Sequence, residues 1–136
     1  MPNFIGGDIV EIVCKHPEEG EFRFQVKANE SFNVDPGGLR SNDDSGSISG
    51  GGDMIDQINR VRPSFEGPVA VDLLSANEIA SLPKLAASPI LGVWSLTHIS
   101  GAIYKMNGKP VGDLIADSNT AQMPLKVAGS GKMEQL

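Results

Sequence analysis

"ILGVWSLTHISGAIYKM", residues 90–106, decides the fold class. Read with a period of two, it puts Trp94, Leu96, Ala102, Tyr104 and Met106 on one face and Val93, Thr97, Ile99 and Ile103 on the other. A strand of a small monomer usually buries one face and wets the other. Here both faces ask for cover. A sandwich within the chain would supply it, and so would neighbouring chains; the residues themselves leave both open. Asn107-Gly108 follows, the dipeptide best suited to a type I′ turn because it accepts positive φ at both positions. The strand Ile90–Met106 is therefore expected to turn there and return along Lys109–Asp117, with Val111, Asp113, Ile115 and Asp117 on one side. Met123–Ala128 reads as the last strand, before the tail GSGKMEQL.

Toward the N-terminus the pattern is again β. Ile9–Lys15 reads as a strand, and Glu21–Lys27 alternates cleanly, with Phe22, Phe24 and Val26 on one face. His16-Pro17-Glu18-Glu19-Gly20 supplies the turn between them. A short strand over Ser31–Val34 is broken by Asp35-Pro36-Gly37-Gly38, and Val69–Leu74 is a compact apolar strand after the Pro63–Pro68 punctuation. One helix follows. Ser75 and Glu78 have capping-box spacing, and Ile79, Leu82 and Leu85 or Ala86 recur on one face. Pro83 should end or kink this helix, and Pro89 closes the segment.

Composition agrees with a mainly β chain. Its 136 residues suit one domain, 1–136, with a core that buries roughly two-thirds of the unfolded surface. Sixteen glycines and nine prolines imply many turns. The net charge of −6 argues against a surface that grips nucleic acid, and the single cysteine, Cys14, excludes an internal disulfide. The first residues lack a basic stretch followed by an apolar run, and no segment approaches 18 apolar residues, so the chain is expected to be soluble, without membrane insertion, and made in the cytoplasm.

Motifs for chemistry are weak. GSGK at 129–132 resembles a phosphate loop, but Lys126 stands where its first glycine belongs and Met133 replaces the magnesium-binding hydroxyl. Asp43-Asp44-Ser45-Gly46 hints at a calcium loop, yet Gly52 occupies the place of the bidentate glutamate. Ser81-Leu82-Pro83-Lys84 has SxxK spacing without its partner motifs. A small metal-dependent enzyme would have to use His16 and His98 with Cys14, two histidines and one thiol with no motif spacing. No catalytic residue, metal ligand or cofactor site is assigned. The chain reads as a non-enzyme.

The stretch "RSNDDSGSISGGGDMIDQINRVRP", residues 40–63, is the other feature that needs a reason. From Arg40 to Asp53 it holds four glycines, four serines and three aspartates, and Ile48 is its one sizeable apolar residue; then Met54, Ile55, Ile58 and Val61 bring apolar side chains back. An irregular insertion this long is uncommon in a compact domain unless it is functional or disordered.

The order and wording of the segments resemble the tail tube protein of contractile-tailed bacteriophages, which is related to the tube proteins of secretion-type contractile injection machines. The resemblance is carried by DMIDQINRVRPSFEGPVAVDLL, residues 53–74, and SANEIASLPKLAASPILGVWSLTHISGAIYKMNGKPVGDLIADSNTAQMPLKVAGSGKMEQL, residues 75–136. It implies a β-sandwich or barrel-like subunit with one flanking helix and a long Gly-rich loop. Hexameric rings of such subunits stack into a hollow tube within a sheath, between a baseplate or initiator and a tail terminator protein. DNA passes through without specific binding. The place of the protein would be the virion tail, assembled in the host cytoplasm. Residues 36–56 would be the loop that reaches the adjacent subunit and the next ring, with Gly37, Gly38, Arg40, Asp43, Asp44, Ile48, Gly51, Met54, Ile55 and Ile58 as its contact residues. Asp113 and Asp117, if they share a strand face, are candidates for the lumen wall, where anionic rings would not hold DNA. The rival reading is a small β-sandwich module that binds a sugar or peptide.

Overall fold

The computed structural model describes residues 4–41 and 48–136. Among them are β1 (Ile9–His16), β2 (Gly20–Phe24), β3 (Asn33–Asp35), β4 (Gly38–Ser41), β5 (Ile58–Val61) and β6 (Ser64–Ala70). One helix, α1 (Asn77–Ala87), precedes β7 (Gly92–His98), β8 (Ile103–Pro110) and β9 (Gln122–Gln135). The protein is mainly β. Seven strands form one antiparallel sheet in the order β2-β1-β7-β8-β9-β6-β3, and β4 and β5 pair separately.

That sheet rolls up on itself. Past its pairing with β1, the β2 strand runs on to a bridge between Val26 and Val69 of β6, where the Ala70 amide donates to the Gln25 carbonyl at 2.8 Å. The chain then leaves the ladder and returns as β3, Asn33 opposite Glu66. The two edges of the sheet therefore meet at this point, through one bridge and one hydrogen bond, and close it into a barrel-like body in which β2 and β3 are the end strands. Pro68 and Gly67 face the excursion between Val26 and β3. Pro68 has no amide to offer a ladder, and it also stands opposite Pro124, a pair that suits only a non-hydrogen-bonded register position. Gly67 is bare because the Phe32 ring covers it: a Cβ there would lie 2.5 Å from the ring carbons.

The barrel interior holds the face of the 90–106 segment that carries Trp94, Leu96 and Met106, together with Ile12, Cys14, Phe24, Phe65, Leu125 and Val127. Trp94 is at its centre. It stacks on Phe24 at 5.8 Å between centroids, meets Phe65 edge-on at 6.0 Å, and donates its indole N–H to the Gly108 carbonyl at 2.9 Å. Leu82 and Leu85 bring the helix into the same core, while Ile79 stays 39% exposed. The helix packs against β8, and its first turn shares a groove with Phe22 and Phe24 of β2, so it closes one end of the barrel.

Several sequence expectations are corrected. The 90–106 segment is two strands, not one: Ser100 and Gly101 turn the chain, with Gly101 at φ 95° and the His98 amide bonded to the Ala102 carbonyl at 2.8 Å. Asn107-Gly108 lies inside β8. Its glycine serves close approach instead of a turn, since a Cβ on Gly108 would meet the Ala128 carbonyl at 2.8 Å, and one on Gly129 would collide with the Asn107 backbone. Lys109–Asp117 is mostly irregular. The strand expected over Val69–Leu74 lies earlier, as β6, and ends at Ala70; it runs through Pro68 because that residue sits where the ladder asks for no donor. Ser75 does not cap the helix; Ala76 stands before it in the left-handed region at φ 55°. Glu78 instead accepts from the Asp72 amide at 3.3 Å, and Asp72 holds the Leu74 amide at 2.9 Å. Pro83 does not end the helix, which continues to Ala87.

Candidate functional site

Among the described residues, part of the segment read as an irregular loop belongs to a two-stranded arm. β4 and β5 pair with Gly38 opposite Val61 and Ser41 opposite Ile58. Asn33 is opposite Glu66 in the β3–β6 ladder. Moving five residues on from Asn33 and five back from Glu66 reaches the Gly38–Val61 pair, so the arm continues that ladder in the same register. Beyond it, Ile48 bridges Met54 around a tight turn in which the Ser49 amide bonds to the Asp53 carbonyl at 2.8 Å.

Gly37 and Gly38 make the joint between barrel and arm. Both have positive φ, 72° and 99°, and a Cβ on Gly37 would sit 2.6 Å from the Pro63 nitrogen. Gly37 also bridges Lys132 of β9, and the Met133 amide donates to the Pro36 carbonyl at 2.9 Å. Asp35 clamps the joint from one side: it accepts from the Gly37 amide at 2.9 Å and from the Arg40 guanidinium. The Gly37 amide first, and Arg40 second, hold its carboxyl below the usual carboxylate range. Farther out, the Ser41 hydroxyl donates to Asp56.

Among the described residues, the apolar side chains of the arm beyond Val61, which is half-buried at its base, face solvent. Leu39 is 68% exposed, Met54 75% and Ile58 63%, with Ile48 and Ile55 also exposed. Of the expected contact residues, the structure thus brings Gly37, Gly38, Arg40, Ile48, Gly51, Met54, Ile55 and Ile58 together on one projection. Asp43 and Asp44 lie outside the described residues. Sequence reasoning missed Leu39, Arg60, Arg62 and Lys132, which flank the base of the arm. The signal for two of them was present: Ile58, Arg60 and Arg62 recur two apart, as on one side of a strand.

Asp113 and Asp117 do not share a strand face. Asp113 is in irregular chain, and Asp117 forms only an isolated bridge to Gln122. Its carboxylate binds the Asn119 amide at 2.9 Å and the Thr120 amide at 3.2 Å, bonds that hold its pKa below the ordinary value, Asn119 contributing most. Gln122 pairs with Ala70, which places this loop at the far end of β6 from the arm.

The histidines are also held by structure. In the β1–β7 ladder His98 is opposite Ile9 while Lys15 is opposite Val93, so His16 and His98 stand at opposite ends. Buried His16 presents Nδ1 to two amide donors, Glu18 and Glu19, each at 3.1 Å; its Nε2 is therefore the protonated nitrogen and donates to the Ile90 carbonyl at 2.9 Å. Burial pushes the Cys14 thiol up to about 12, which leaves it un-ionised and unreactive near neutrality. Trp94 is fully buried and Tyr104 packs against the core, so neither ring forms the exposed platform that a sugar-binding module presents.

The chain matches no protein-family model and no curated protein.

Proposed function

We propose that this protein is the structural subunit of a tail tube, which stacks as hexameric rings into a hollow conduit for DNA inside a contractile sheath. The observation that carries this reading is the arm. The chain extends one ladder of the sheet beyond the barrel-like body and lines the extension with exposed Leu39, Met54 and Ile58. Apolar side chains presented on a thin ribbon gain burial only against another molecule. Both outer edges of a two-stranded ribbon are also open to further pairing. The sequence resemblance to tube proteins assigns that role to the same segment. The surrounding machine supplies the sheath, initiator and terminator as partners, and a secretion-type injection apparatus would use the same subunit geometry.

Amide exchange tests this directly. In the free subunit, the outward amides of residues 38–41 and 58–61 should exchange fast; in assembled material they should be protected, with the barrel unchanged. Equal exchange in both states would defeat the assignment of the arm to assembly.

A further inference from the structure

The base of the arm carries the wrong charge for this molecule. Arg60 and Arg62 line one side of a groove between the arm and β9, and Lys132 lines the other. Its floor is low because Gly37, Gly38 and Gly131 have no side chains; the Lys132 stem passes within 3.9 Å of where a Gly38 Cβ would be. Arg23, Lys27 and Arg40 are paired with carboxylates, and Lys15, Lys84, Lys105, Lys109 and Lys126 stand without an ion pair among the described residues. What sets the groove apart is that three cations line it together. Among the described residues, none within ion-pair distance neutralises Arg60, Arg62 or Lys132. Three cations lining one groove in a chain of net charge −6 favour an anion between them. Nucleic acid is disfavoured as that anion by the overall negative field.

A carboxylate pair of suitable form stands at the opposite end. Glu18 and Glu19 are exposed, adjacent and likewise without a cation partner among the described residues. Their turn is tied to the body of the subunit, because both amides donate to the single Nδ1 of buried His16. The two sites are far apart within one subunit. Traced back from the Val26–Val69 bridge, β2 runs past the Ala70 end of β6 to reach this turn, whereas β6 traced back from Ser64 leads into the arm. Complementary patches at opposite ends suit a head-to-tail contact, which repeats along an axis where its rotation does not close into a ring.

We propose that the groove of Arg60, Arg62 and Lys132 receives the Glu18–Glu19 turn of a second copy, so that subunits of successive rings engage head to tail. This rests on the tube reading, of which it names the stacking contact. Arg fits the role because its planar fork binds carboxylate bidentately.

Charge exchange tests the contact. Arg60→Glu with Arg62→Glu should raise the concentration needed for assembly at least tenfold, as should Glu18→Arg with Glu19→Arg. The four substitutions combined should restore it. In the unaltered protein, a zero-length carbodiimide cross-link should join Lys132 to Glu18 or Glu19 of another copy, a readout independent of variant folding. If the unaltered protein forms tubes but Lys132 cross-links elsewhere and the combined variant stays defective, this contact is wrong and the tube reading stands. If the cross-link forms in dimers that never build tubes, the contact stands and the tube reading falls. Binding of duplex DNA that is lost in Arg60→Glu with Arg62→Glu would assign the groove to phosphate and overturn the proposal.

Discussion

The barrel and the arm are built from the same ladder and end in opposite conditions. From Asn33–Glu66 inward, the β3–β6 pairing joins a closed sheet whose interior holds Trp94, Phe65 and Leu125. From Gly38–Val61 outward, the same register continues with open edges and exposed apolar side chains. The difference lies in what each side chain meets, not in backbone pairing. Hydrogen bonds make the arm a ribbon; burial alone makes the barrel a core. Substitutions in the two regions should therefore separate folding from assembly.

The largest effect is expected in the barrel. Trp94→Ala removes two ring contacts and the bond to the Gly108 carbonyl, and should destabilise the subunit by about 3–5 kcal/mol in chemical denaturation, taking assembly with it. Gly67→Ala acts where the sheet closes. The new methyl must displace the Phe32 ring, and a loss of about 1–3 kcal/mol is expected in the same measurement. An unchanged midpoint would show that the closure is loose enough to adapt.

In the arm the balance reverses. Leu39→Ser, Met54→Ser and Ile58→Ser should each leave stability within about 0.5 kcal/mol, because these side chains are already wet, while together they abolish assembly in sedimentation. Normal assembly of the triple variant would make the arm a passive ribbon. Asp35 gives the smallest effect, a pH dependence at the joint. Its folded pKa lies below the ordinary value near 3.9. The stabilisation it gives is complete above about pH 4 and is lost as pH falls through the lowered value. Asp35→Asn should remove that acid-side loss, seen as exchange of the Gly37 amide, without altering the barrel.

These contrasts also explain what could be read from the sequence. The β1–β2 hairpin was legible because its alternation and its Pro-Glu-Glu-Gly turn agree. Trp94, Leu96 and Met106 were assigned to one face correctly, since period two survives whether or not the chain turns between them. The turn itself was misplaced. Asn107-Gly108 carries the stronger local signal, but contact with Ala128 and Gly129, residues twenty positions and more away, converts it to a close strand crossing. Pro68 hid the start of β6 for a similar reason: a local rule counts the missing donor, and only the register shows that the ladder does not need it. Residues 129–136, expected as a tail because of their glycines, instead continue β9 to Gln135, where pairing with Tyr104 of β8 overrides the local signal. In the candidate site, Gly37, Met54 and Ile58 stood out by composition. Arg60, Arg62 and Lys132 did not, because their convergence depends on β9 reaching Gly37 across the sheet.

The claim that the arm makes this chain a tube subunit is tested most directly by negative-stain microscopy of the purified protein at high concentration. Hollow tubes or six-membered rings are the expected result, with only dispersed subunits in the Leu39→Ser, Met54→Ser, Ile58→Ser variant. Dispersed single subunits of the unaltered protein at millimolar concentration, persisting when a tail initiator complex is added, would contradict it.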